Sequence, residues 1–204
     1  MKKKLTAVAL IVCMIAIMLV GASLAYFTDD AEAENTFTVG NVAIELTEPE
    51  WEESGKEEAK EVYPGEALAK DPTVENIGAN PCLVRVKVEW PDEEKVAGDW
   101  NYRNEGYQVG QVNEGWYAAE DGYIYYLKAL AAGDTTEKPA FTSVVVPTTL
   151  TNGDGETEYD IMVYAEAVQA QGVFASYSQV EEIDAATELE TVQDFFAKAF
   201  ADAQ

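Results

Sequence analysis

The side chain that most often moves protons near neutrality and binds zinc is missing from this sequence, which contains no His. Its absence removes histidine general acid/base catalysis, Ser-His-Asp and Cys-His nucleophile systems and the usual zinc sites. A conventional hydrolase is therefore not expected. What remains is oxygen chemistry, with 38 Asp+Glu against 13 Lys+Arg. Abundant carboxylates will pair by chance, so their number alone does not make a glycosidase, which needs two at a set separation across a sugar. One stretch resembles an oxygen cluster for calcium: Asn152-Gly153-Asp154-Gly155-Glu156 with Glu158 and Asp160. It lacks the glycine at the sharp bend of an EF-hand loop and places Val163 where the bidentate acid would fall. Because Asn-Gly and Asp-Gly are strong turn formers, it reads as a solvated hairpin loop, with weak calcium binding as the alternative. There is no His-Glu-x-x-His motif, phosphate loop or nucleophile elbow. No catalytic, cofactor-binding or metal-ligating residue is assigned.

The formal charge of −25 bounds the partners. Phosphate backbones and anionic membrane surfaces attract Lys and Arg, and both repel a chain this acidic. Nucleic acid is not expected as a partner. With 48% hydrophobic and 11% aromatic residues in 204, the chain can still bury the core of one ordinary domain.

Residues 1–25 read as an export signal. Lys2, Lys3 and Lys4 form the positive n-region, Leu5 to Val20 carry no charge, and Ser23-Leu24-Ala25 presents small residues at the positions signal peptidase reads. Cleavage is placed between Ala25 and Tyr26. The apolar stretch reaches the roughly 18 residues that span a bilayer, so a retained N-terminal anchor is the competing reading. Cys13 follows Val12, too bulky for a lipoprotein box, and lipidation is not expected. Removal of the signal leaves Cys82 as the only cysteine, so no internal disulfide forms. Cys82 reads as a small buried hydrophobe at the head of a strand, cross-linking of two copies being the alternative.

Strand signals dominate from residue 35 to about 170. Phe37, Val39, Val42, Ile44 and Leu46 recur with period two around Gly40-Asn41, predicting two short strands or one bulged strand. Residues 48–61 predict an acidic loop, with Trp51 packed over the domain's edge, and Pro64-Gly65 a tight turn. Cys82, Val84, Val86, Val88 and Trp90 alternate with Leu83, Arg85, Lys87 and Glu89, predicting a strand with one core face and one largely solvent face. Residues 92–115 predict an irregular excursion with at most one short element. Further strands are predicted over 123–130, 141–146 and 159–167.

The period then changes. Val192, Phe195, Phe196, Ala199 and Phe200 make an apolar stripe at helical spacing, and Thr187-Glu188-Leu189-Glu190 fits a capping box, predicting a helix over 187–201 that covers one end or edge of the sheets, docking on another subunit being the alternative. Short strands divided by turns, without alternating helices, predict an all-β protein, an antiparallel jelly-roll-like or immunoglobulin-like β-sandwich with a C-terminal amphipathic helix. The expected organisation is a signal peptide over 1–25, an N-terminal segment over 26–40, the sandwich over 41–177 and the helical tail over 178–204.

Several segments look familiar together: Ala25-Tyr26-Phe27-Thr28-Asp29, then Asn35-Thr36-Phe37-Thr38-Val39-Gly40-Asn41-Val42-Ala43-Ile44-Glu45-Leu46, and later Lys70-Asp71-Pro72-Thr73-Val74-Glu75-Asn76-Ile77-Gly78, Asp121-Gly122-Tyr123-Ile124-Tyr125-Tyr126 and Ala165-Glu166-Ala167-Val168-Gln169-Ala170. On these residues the sequence resembles the TasA/camelysin family of Gram-positive exported matrix proteins, in its clostridial branch. The resemblance implies a jelly-roll subunit released by a SipW-type signal peptidase and polymerised into extracellular biofilm fibres, with accessory matrix proteins as possible partners. It also implies donor-strand exchange, in which the segment carrying Tyr26, Phe27, Phe37 and Val39 completes the sheet of the next copy. An open sheet edge is a template for such a strand, and a head-to-tail contact generates filaments. Camelysin-like members are also described as metalloproteases, an activity that a chain without His does not support. The alternatives are a monomeric cell-surface binding module, using aromatics such as Trp100, Trp116, Tyr123 and Tyr125, and a carboxylate- or calcium-assisted hydrolase.

Overall fold

In a computed structural model the described residues are 41–91, 100–150, 159–171 and 182–201. The chain divides into two units, Met1–Val39 and Gly40–Gln204, and every described residue lies in the second. The strands are β1 Ile44–Thr47, β2 Ala67–Ala69, β3 Thr73–Asn76, β4 Cys82–Glu89, β5 Asn101–Arg103, β6 Trp116–Ala118, β7 Tyr123–Tyr126, β8 Ser143–Val145 and β9 Met162–Gln169. They pair antiparallel throughout, as β1-β3, as β2-β8-β5 and as β6-β7-β4-β9. The antiparallel β class predicted from the turn-bounded strands stands. Among the described residues these orders trace neither a closed barrel nor a jelly roll.

The β-branched alternation of β4 does what its period requires. Cys82, Val84 and Val86 point into the main core together with Val74 of β3, Ile124 of β7, Val144 of β8 and the intervening Phe141. Cys82 is fully buried at the head of its strand, and burial pushes its thiol up to about 12.

The opposite face of β4 corrects the sequence reading. Leu83 and Arg85 are buried as well, and only Lys87 and Glu89 reach solvent. A second apolar cluster covers them: Leu83, Tyr125 of β7 and Val168 of β9 pack under Leu189, Val192 and Phe196 of a C-terminal helix, which spans Leu189–Ala199. Burying side chains such as Val192 and Phe196 stabilises by about 1.5–3 kcal/mol each, which holds the helix on the sheet's face rather than on an end or edge. The predicted capping box does not form: no side chain caps the helix. The preceding turn is closed instead by Asp184, whose N–H donates to the Glu188 carboxylate at 2.9 Å while its own carboxylate accepts Ala186 N–H at 2.9 Å.

The acidic stretch 48–61 is also not a loop. It winds into a π-helical turn, Trp51–Gly55, that runs on into a short helix α1, Lys56–Glu58, the C-terminal helix Leu189–Ala199 being α2. The cause lies outside the stretch: the Asp71 carboxylate accepts the N–H groups of Glu50 at 3.0 Å and Trp51 at 3.3 Å, satisfying donors that a helix start leaves orphaned. Lys70 ion-pairs with Glu48 at 2.9 Å and sits 4.8 Å from the Trp51 ring centre. Gly55 packs so closely that a Cβ there would meet Trp51 Cε3 at 2.6 Å and the Ala69 carbonyl at 2.7 Å.

Other boundaries shift modestly. The strand predicted over 123–130 ends at Tyr126, that over 141–146 narrows to Ser143–Val145, and that over 159–167 runs Met162–Gln169. β2, β3 and β6 are short strands that the periodicity did not single out. The strand predicted around Phe37 and Val39 lies outside the described residues, while β1 continues the pattern after Gly40-Asn41.

Candidate functional site

Ala25, Tyr26, Phe27, Phe37 and Val39, the residues assigned to cleavage and polymerisation, lie outside the described residues, as does the oxygen-rich stretch 152–158. Asp160, the described member of that cluster, is exposed on the approach to β9. The four aromatics considered for binding do not form one platform. Trp116 and Tyr125 are buried, with Trp116 Nε1 donating to the Lys138 carbonyl at 2.9 Å, while Trp100 and Tyr123 are half-buried.

The richest polar constellation is one that the sequence did not reveal, centred on Arg85. Register creates it: Arg85 of β4 lies directly opposite Tyr125 of β7 on one side and Glu166 of β9 on the other. Its Nε donates to Glu166 Oε2 at 2.7 Å and its Nη1 to the Tyr125 hydroxyl at 3.1 Å. That hydroxyl donates onward to Asp121 Oδ2 at 2.7 Å, where Gln193 Nε2 of α2 also donates at 3.1 Å. Aromatic faces close over the guanidinium, with Tyr123 3.6 Å and Phe196 4.5 Å from its carbon. Delocalised and weakly hydrated, guanidinium is the cation best suited to such a cage.

The electrostatics follow from burial. Desolvation opposes the charge on Arg85, but its bonds to Tyr125 and Glu166 outweigh it and keep the cation. Tyr125 is pushed well above the ordinary phenol range, first by burial and then by its bond to Asp121, so its proton is held. A permanent cation, a phenol that does not ionise and a carboxylate already accepting hydrogen bonds make a poor proton relay. The cluster ties α2 to the sheet and forms the floor of an open cleft of about 570 Å³, walled by Asp121, Tyr123, Glu166, Asp194 and Phe200.

Among the described residues no group of three or more His, Cys, Asp or Glu is placed to hold a metal ion. Catalytic zinc takes imidazole, thiolate or clustered carboxylate ligands. The chain has no imidazole, and the described cysteine is a buried thiol held protonated, so the described residues do not fit that metal. Nor is any helix among them long and apolar enough to cross a membrane.

No curated protein matches the chain. The sequence model of a family described as camelysin metallo-endopeptidase matches residues 1–116, more than half of the 204. That match takes in the charged n-region, the apolar stretch and the strands up to the start of β6, and on it the chain belongs to the camelysin family.

Proposed function

We propose that this protein is a secreted structural subunit of an extracellular biofilm matrix, freed between Ala25 and Tyr26 by a SipW-type signal peptidase. In this reading it belongs to the clostridial branch of the family. Residues 41–177 serve as the antiparallel β domain of the subunit, 178–204 carry the covering helix, and the segment with Tyr26, Phe27, Phe37 and Val39 completes a sheet of the next copy. The observation that carries this reading is family membership over residues 1–116, since camelysin-family proteins are commonly exported. The edges of the three described sheets support it, because a strand paired on one side only within its sheet is a template for strand addition. The charge of −25 supports it too: like-charged subunits stay apart until salt or divalent cations screen them.

The test is negative-stain microscopy of protein beginning at Tyr26 beside protein beginning at Asn41, across salt, calcium and pH. Filaments from the longer chain alone are the expected result. Monodisperse particles from both, in every condition, overturn the fibre reading and favour a cell-surface module retained by its N-terminal apolar segment.

A further inference from the structure

Helix α2 covers only part of the outer face of the four-stranded sheet. Beyond it the ladder sets residues side by side in rows, because directly opposed residues in antiparallel strands project to the same face. Tyr117 opposes Tyr125, which opposes Arg85; in the next row Tyr123 opposes Lys87, which opposes Tyr164. Tyr117 and Tyr164 are 42% and 45% exposed, and Tyr123 is half-buried at the margin of the cleft. Two of these rings are held: the Tyr164 hydroxyl donates to Glu89 at 3.0 Å, and the Tyr123 ring has Arg85 Cζ 3.6 Å and Lys87 Nζ 5.5 Å from its centre.

We infer that this tyrosine-bearing sheet face, Tyr117, Tyr123 and Tyr164 with Lys87 and Glu89 between them, binds a linear polysaccharide of neutral or amine-bearing pyranose rings. The faces of such rings carry electropositive C–H groups, which suit the negative face of a phenol ring, and their equatorial hydroxyls suit a Lys and a Glu in the same plane. Tyr123 and Tyr164 stand on strands one removed from each other, roughly 10 Å apart by the spacing of two ladders, the span of two pyranose rings laid end to end. Charge selects among polymers. The Asp121, Glu166 and Asp194 carboxylates at the adjoining cleft and a chain charge of −25 repel uronate, sulfate or phosphate polymers and also a second copy of this face. The inference stands independently of fibre assembly, since it concerns a face and not a strand edge.

The test is calorimetric titration of the mature protein with a neutral β-1,4-linked N-acetylglucosamine hexamer, its de-acetylated counterpart and polygalacturonate. The expected result is binding of the first two and not of the third, with little dependence on salt for the neutral hexamer. Tyr117→Ala and Tyr164→Ala each weaken it by about tenfold, the scale of one lost stacking contact. Tyr164→Phe, which keeps the ring, retains binding, and Tyr63→Ala, at an exposed tyrosine off this face, leaves it unchanged. Failure of both hexamers to bind overturns the inference. So do affinities equal in Tyr117→Ala, Tyr164→Ala and wild type, binding of the amine-bearing hexamer alone that salt abolishes, or a dimer that Tyr164→Ala dissolves.

Discussion

Arg85 illustrates why a buried ion can be costly to disturb yet invisible to pattern reading. Truncating it leaves Glu166 and the Tyr125 hydroxyl without their donor and empties the cage beneath Phe196. Arg85→Ala should lower unfolding stability by about 3 kcal/mol, at the lower end for a broken buried pair because Glu166 keeps some solvent contact. Lys56→Ala, at a pair exposed on both sides, should cost less than about 0.5 kcal/mol, and urea denaturation distinguishes the two. Cys82 and Tyr125 make stability depend on pH on the alkaline side. Their folded thiol and phenol are both raised above their ordinary values of 9.0 and 10.0, so the unfolded chain loses those protons first as pH rises. The stability these two groups contribute is full below pH 9.0 and is lost as pH climbs toward about 12; Cys82→Ala should make the first part of that decline shallower in pH-resolved denaturation.

Among the elements, strand β4 and helix α2 show what periodicity reveals and what it withholds. The valines of β4 declared one buried face, and the phenylalanines of α2 declared one buried stripe, because each pattern is local. That the stripe lands on Leu83 and Arg85 depends on Glu166, 81 residues further along the chain, and a charged residue in an alternating strand otherwise reads as solvent-facing. The π-helical turn was hidden for the same reason, since the carboxylate that caps it belongs to Asp71, 21 residues beyond Glu50. Cavity formation at the centre of the second cluster should make Phe196→Ala cost about 3–5 kcal/mol, read as a lower thermal midpoint. Asp71→Asn keeps a cap but loses its charge and should cost about 1 kcal/mol, with the change in hydrogen exchange confined to residues 49–58. Gly55→Ala should displace the Trp51 ring, an overpacking cost of about 1–3 kcal/mol checked by Trp fluorescence and denaturation.

For the whole molecule, charge sets the conditions under which copies meet. The screening length falls from about 30 Å at 0.01 M salt to about 8 Å at 0.15 M, so light scattering should record faster growth of any assembly with added salt. The recurrent segments around Tyr26, Phe37 and Lys70 were readable as family features, and the match over residues 1–116 bears out the family. The tyrosine rows were not readable, because only strand pairing sets Tyr117, Tyr123 and Tyr164 on one face. Helix α2 follows every described strand in the chain yet covers part of one face of their central sheet. As the chain is synthesised, the second cluster therefore cannot close over Leu83, Tyr125 and Val168 until Leu189, Val192 and Phe196 have been made, so the sheet's outer face is the late-finished side of the domain.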